Sequence, residues 1–420
     1  MNQVKNYFLS ISALFSVGFI QAQEYSIQDL EHQFVTKNNQ IIAQKYNLDI
    51  ADAEIMQAKF LPNPTLSISE VNLWKTYKVE EQPNLFSNYG RNQQVAVELE
   101  QVLETAGKRK KRVALKEAEK NSAILEFQET ILELKKELRI HYWSLNRIAQ
   151  QEISLQETIS VFEELKNQYQ RQSQLQNVSR ADFYRVQTEL SQLQKEWISL
   201  QNEKAQVLTT LRVLTNNESL ETNQIKFPAE TRLYSSLVPL DLKQTALSQN
   251  IGLLQNENQS VVAKKNWELE YAARVPDLEF SMNYDRGGNI MRDFVGFGVQ
   301  MDLPVFNKNK GNIKAAEYKM QQEKANRNVL EFNLLRSIDH LIEQLKRLES
   351  SMKNEESIQE SEHRKMIETY RRQMQNKQVT MLEFIDYTQA FRESQKASYE
   401  IQELYNLTYE ELKYITGKDF

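Results

Sequence analysis

Lys108-Arg109-Lys110-Lys111-Arg112-Val113 opens a run of 120 residues, Lys108 to Phe227, that contains neither glycine nor proline. A second run without either residue, Asn312 to Thr416, extends for 105 residues. Both exceed any ordinary globular helix several-fold, so each predicts one very long helical hairpin. A helix of roughly 65 residues rises about 100 Å at 1.5 Å per residue, the scale of a cell envelope rather than of an active site. Each run follows a short region of alternating polar and apolar residues with its own Gly and Pro punctuation. The chain therefore carries one plan twice: a helix, two short strands, then a long hairpin.

Position by position, Val95 matches Val295, Leu103 matches Leu303, Lys108 matches Lys308 and Lys110 matches Lys310, all at an offset of 200. At the far ends of the hairpins the offset is 201, relating Val178 to Val379, Ser179 to Thr380, Asp182 to Glu383 and Phe183 to Phe384. Pro62 and Pro276 are 214 apart, which places a longer inter-strand loop in the first half. The first repeat covers residues 23–214, with a helix over 27–60, strands over 64–73 and 93–103, and a hairpin over 108–214 whose tip lies near 176–181. Residues 215–240, with Pro228 and Pro239, read as linking structure. The second repeat covers 241–420, with a helix over 241–274, strands over 277–285 and 294–303, and a hairpin over 310–416 with its tip near 376–382. Ser179-Arg180-Ala181-Asp182 and Thr380-Met381-Leu382-Glu383 each put a hydroxyl three residues before a carboxylate, the capping-box pattern of a helix restart.

The strands alternate. Leu278, Phe280, Met282 and Tyr284 interleave with Glu279, Ser281, Asn283 and Asp285, and Val295, Phe297, Val299, Met301 and Leu303 interleave with Gly296, Gly298, Gln300 and Asp302. In the first half Val95, Val97 and Leu99 interleave with Gln94, Ala96, Glu98 and Glu100, whereas the apolar face of 64–73 changes over near Glu70. Nine to eleven residues of period two is what a tilted strand needs to cross a bilayer, and a half-buried strand of a soluble sheet alternates identically. Four such strands beside giant helices, behind an export signal, favour the barrel. In the helices, Phe183, Leu190, Trp197 and Leu211 recur every seven residues with Val186, Leu193, Leu200, Val207 and Leu214 offset by three, and Lys204 interrupts the seam. The equivalent seam from Phe384 to Ile415 has Ser394, Ser398 and Thr408 at its polar positions.

Residues 1–22 carry a basic start, an apolar stretch and a small residue, Ala22, at a plausible cleavage point, the pattern of a secretory signal peptide. No later apolar run approaches 18 residues, so a spanning helix is excluded and a β-barrel is not. The formal charge of −5 shows no basic surface for nucleic acid. The absence of cysteine removes disulfides, thiolate chemistry and Cys-ligated metal. His32, His141, His340 and His363 have no ligand spacing, and no phosphate loop or nucleophile arrangement stands out, so neither metal, cofactor nor catalysis is expected.

Four strands do not close a barrel and lipid tolerates no unpaired sheet edge, so the chain must associate. Two copies give eight strands, which side chains largely fill; three give twelve and leave a lumen. Leu61-Pro62-Asn63-Pro64, Gly107-Lys108-Arg109 and Leu303-Pro304-Val305-Phe306-Asn307-Lys308-Asn309-Lys310-Gly311-Asn312 are similar to the TolC family of outer-membrane efflux proteins, over essentially the whole mature chain. Ala106-Gly107-Lys108-Arg109-Lys110 resembles its heavy-metal-efflux branch.

The resemblance implies a mainly α protein with a transmembrane barrel part: a homotrimer with a 12-stranded barrel continued by a 12-helix periplasmic tunnel. It implies the outer membrane of a Gram-negative bacterium, a periplasmic adaptor and an inner-membrane pump of the resistance-nodulation-division type. The expected role is the exit duct of a tripartite efflux system, carrying metal cations or drugs. An exit duct for type I protein secretion shares this architecture, and a pore-free periplasmic coiled-coil scaffold is the reading from another class. Glu383 and Asp386 match two acidic rings that narrow the family's periplasmic gate, with Asp182 tying neighbouring hairpins. Val379 and Met374 stand where polar clamp residues are expected. With the apolar strand faces against lipid, Glu98, Glu100, Glu279, Asp285 and Asp302 face the lumen. The tips, with Asn177, Val178, Ser179, Arg180, Gln378, Val379, Thr380 and Met381, are expected to meet the adaptor.

Overall fold

The computed structural model describes residues 24–72, 74, 81–87, 89–228, 233–287, 291–355, 369–370, 372–374 and 378–420. Its long helices are α3, Lys108–Gln174, and α4, Arg180–Thr215, in the first half, and α7, Lys310–Glu355, and α8, Met381–Thr416, in the second. The 67 residues of α3 span about 100 Å. At the helix restarts the two halves agree closely. Both α4 and α8 contain 36 residues, start after a hydroxyl cap (Ser179, Thr380) and end on a left-handed residue, Asn216 at φ 48° and Gly417 at φ 71°. The expected second tip, 376–382, falls partly outside the described residues.

The helices expected over 27–60 and 241–274 are each two helices. The first divides into α1, Ile27–Lys37, and α2, Asn39–Lys59; the second into α5, Leu242–Gln249, and α6, Ile251–Ala272. Asn38 and Asn250 make the breaks. Each takes an extended conformation, caps the following helix through its side-chain oxygen, and donates Nδ2 to the last turn of a long helix. Asn38 reaches the Leu214 carbonyl at 2.9 Å and Asn250 the Ile415 carbonyl at 2.8 Å, so the two pins obey the repeat.

Strands β1, Thr65–Ser69; β2, Val95–Leu103; β3, Leu278–Arg286; and β4, Phe294–Gln300 form one antiparallel sheet in sequence order. Strand β1 is shorter than the expected 64–73 because Glu70 adopts φ 53° and leaves the ladder. The repeat extends to register. Ser67 faces Glu98 in the first half, and Ser281, displaced by 214, faces Gly298, displaced by 200. The matching of Lys108 with Lys308 does not hold, because Lys308 lies in the loop. Left-handed Gly107 precedes Lys108, and left-handed Asn309 (φ 56°) precedes Lys310, so the second connection is two residues longer.

Helices α2, α3, α6 and α7 pack side by side in the same lateral order as the strands they join, so the helical layer continues the sheet end to end. Burial is concentrated in three clusters along the helices. One gathers Phe34, Leu138, Tyr142, Leu145 and Leu211 near the linker; one gathers Phe162, Val186, Leu193, Met374 and Phe384 towards the tips; the third gathers Ala246, Ile338, Leu345, Tyr405 and Leu412. Val186, Leu190, Leu193, Leu200, Val207, Leu211 and Leu214 of the heptad seam are all buried. Lys204, its interruption, reaches Glu152 of α3 at 2.6 Å and so enters the seam as a partnered cation.

Candidate channel wall and gate

The sheet has one apolar and one polar face because every ladder keeps the same parity. Leu66, Leu99, Met282 and Phe297 form a row across all four strands, followed by Ile68, Val97, Tyr284 and Val295. This face carries large exposed hydrophobics, Phe297 reaching 81% exposure. The opposite face holds the rows Ser67, Glu98, Asn283, Gly296 and Thr65, Glu100, Ser281, Gly298. Glu279 and Asp285 share it, opposite Val102 and Ala96. Four of the five acidic residues read as lumen-facing thus lie on one face. Asp302 lies beyond the end of β4 in the connection to α7, so no ladder assigns it a face. Gly296 and Gly298 admit the neighbouring side chains: a Cβ on Gly296 would stand 2.4 Å from Asn283 Oδ1, and one on Gly298 2.5 Å from Ser281 Oγ.

At the tips, Glu383 closes a capping box. The Thr380 amide and hydroxyl both donate to its Oε2 at 2.8 Å, and the Glu383 amide donates to Thr380 Oγ1 at 3.3 Å. These bonds from the Thr380 backbone and side chain hold the exposed carboxyl below its usual range. Asp386 lies exposed one turn further along α8. The corresponding box at Ser179 and Asp182 does not form: Ser179 Oγ accepts from the Ala181 amide, and Asp182 pairs with Arg185 at 3.7 Å. Asn177 closes the first tip on Gln172, with the left-handed Gln176 before it, while Ser179 and Arg180 are exposed. Gln378 is exposed, and Val178 and Val379 are half-buried. Met381 is a correction: at 4% exposure it packs with Met374, Phe384 and Ile385 and offers no surface to a partner.

The polar ties between the two hairpins lie above the tips. Glu189 of α4, buried, accepts from Gln389 at 2.6 Å and pairs with Arg392 at 3.4 Å, and Arg392 also reaches Glu196 at 3.0 Å. Higher up, Arg147 of α3 bonds Glu403 at 2.7 Å and also contacts Glu203. Near the linker, Arg139 binds Glu31 at 2.6 Å, Glu410 at 2.8 Å and Asp419 at 2.6 Å. Burial opposes the ionised form of Asp419, but hydrogen bonds from Arg139 and Lys135 overcome it and hold the carboxyl far below its ordinary value. No spacing rule announces these ties; their sequence signal is a charged residue adjoining a heptad seam, as Glu189 adjoins Leu190. Among the described residues no three His, Asp or Glu gather into a metal-ligand set, and no helix is long and apolar enough to cross a membrane.

Residues 31–217 match the family model described as outer membrane efflux protein. Residues 31–217, essentially the first repeat, thus carry the outer membrane efflux protein signature. The second repeat has the same fold as the matched one. The CmeC outer membrane channel of Campylobacter jejuni is similar at TM-score 0.75 and 14% identity, over 99% of this chain and 93% of that one. The outer membrane protein VceC of Vibrio cholerae gives 0.70 and 16%, over 94% and 96%. The open state of the Neisseria gonorrhoeae MtrE outer membrane channel gives 0.68 and 15%, over 96% and 93%. No curated protein sequence matches the chain.

Proposed function

We propose that three copies of this chain form the outer-membrane exit duct of a tripartite efflux system, which passively conducts solutes from an inner-membrane pump and periplasmic adaptor to the exterior. The sheet carries this reading: one face is apolar and exposed, both edges are open, and each strand continues into a helical layer of the same order. In lipid such edges pair only with further copies, and three copies leave a lumen where two would be filled. The polar face, with Glu98, Glu100, Glu279 and Asp285, lines that lumen and favours cations. The duct performs no chemistry; energy comes from the pump, and the TolC-like motifs support one of the resistance-nodulation-division type. At the periplasmic end, Glu383 and Asp386 from three copies form the acidic constriction, and the exposed tip residues Asn177, Ser179, Arg180, Gln378 and Thr380 meet the adaptor.

Fractionation and planar-bilayer recording test the proposal. The protein is expected in the outer-membrane fraction as a heat-modifiable trimer that opens discrete channels; a monomer that remains in aqueous buffer overturns it. Glu383→Gln with Asp386→Asn is expected to raise conductance or alter cation blockade, and unchanged traces would discard the gate.

A further inference from the structure

The connection from β4 to α7 carries a feature that conduction does not use. Beyond Gln300 the apolar alternation continues through Met301, Leu303 and Val305, all exposed, and Phe306 beside them is fully exposed. Lys308 and Lys310 follow, and with Arg274 and Lys314 they line an open cleft of about 290 Å³ between the end of α6 and the first turn of α7. Lys314 is paired with Glu317 at 2.6 Å, and Arg274 lies over the Tyr271 ring at 4.7 Å. Neither Lys308 nor Lys310 forms an ion pair among the described residues.

The first repeat handles the same junction differently. There Lys108, the first residue of α3, is paired with Asp277 at 2.8 Å, and Arg112 with Glu104. Lys310 is the first residue of α7, and the offset of 214 relating β1 to β3 puts Asn63 at the position of Asp277. Because β1 and β4 are opposite edges of the sheet, the partner that the repeat gives Lys310 is Asn63 of the next copy in the proposed trimer, an amide instead of a carboxylate. One junction is neutralised internally; the other presents bare cations beside exposed apolar side chains that prolong the apolar face of the sheet.

We infer that this cleft seats the headgroup phosphate of an anionic phospholipid from the periplasmic leaflet, with Leu303, Val305 and Phe306 at the acyl-chain boundary. The inference rests on the proposed placement of the sheet in the outer membrane with its helices in the periplasm. Lysine and arginine reach headgroups from an apolar base, exposed aromatic side chains favour the interface, and the N-terminus of α7 adds positive potential. Each basic residue near an anionic surface strengthens attachment about fivefold.

Native mass spectrometry of the full-length trimer in detergent tests this, with dioleoyl-phosphatidylglycerol and dioleoyl-phosphatidylcholine offered in equal amounts. The wild type is expected to retain phosphatidylglycerol preferentially, and Lys308→Gln with Lys310→Gln to lose that preference by on the order of tenfold while remaining trimeric. Phe306→Ser is expected to weaken retention of both lipids. Equal retention of the two lipids by the wild type, or an unchanged preference in the double variant, overturns the inference alone. So does displacement of phosphatidylglycerol by millimolar inorganic phosphate, which would mark a free-anion site. A lipid-free monomer would overturn the exit-duct reading as well.

Discussion

Arg139 gathers carboxylates from both ends of the chain: Glu31 of α1, and Glu410 of α8 with Asp419 shortly after it. Removing it by Arg139→Ala takes a counter-charge from Glu31 and Asp419 and leaves Glu410, which is 4% exposed, with Lys413 at 3.1 Å as its remaining partner. The expected cost is about 3–5 kcal/mol, the range for breaking one side of a buried pair, read as a lower melting temperature by circular dichroism in detergent. Asp419 adds a pH signature. Its folded carboxyl titrates below its unfolded value, so its contribution is present above the ordinary carboxylate range and fades as pH falls through the depressed value. Asp419→Asn is therefore expected to lower the melting temperature by the same amount at pH 5 and pH 8, the gap from wild type narrowing only in stronger acid. At this scale the sequence was legible only where partners are neighbours. Thr380 and Glu383 are three residues apart and announce their box; Arg139 and Glu410 are joined by tertiary packing, which no local pattern encodes.

Among the elements, strands and long helices could be read because their periods are strict and, past Gly311 at the start of α7, the long helices contain neither Gly nor Pro. The break at Asn38 was hidden because no Gly or Pro adjoins it and asparagine is only a mild breaker, and at Asn250 the one local sign was Gly252, two residues on. Their role depends on a carbonyl more than 160 residues away in each case. Asn38→Ala removes a cap and a buried bond to Leu214 together, an expected loss of about 2 kcal/mol in a thermal melt. Asn38→Asp keeps the cap oxygen and is expected to recover part of it. The brace between hairpins escaped for a related reason: Glu189, Gln389 and Arg392 meet only because α4 and α8 both pack against α3 and touch each other.

For the whole molecule, exposure of Phe297 separates a membrane wall from a soluble surface. On a soluble surface Phe297→Lys would be nearly neutral. In a barrel wall it costs about 2–4 kcal/mol near mid-membrane, so trimer yield in the outer-membrane fraction is expected to fall. Unchanged yield would remove the apolar face from the lipid. The fold class was legible because the plan is written twice, and the need for further copies because four strands leave two free edges.

The repeated register reaches further than one chain. Within it, Glu98 of β2 faces Asn283 of β3. Carrying that junction forward by the same two offsets places Gly298 of one copy opposite Ser69 of the next in the proposed trimer. Opposed strand residues lie within disulfide reach, and Ser69→Cys with Gly298→Cys should lock all three copies into a covalent hoop under oxidation. The same cysteine at Thr65 should not, because a slip of that size would misalign the entire rim.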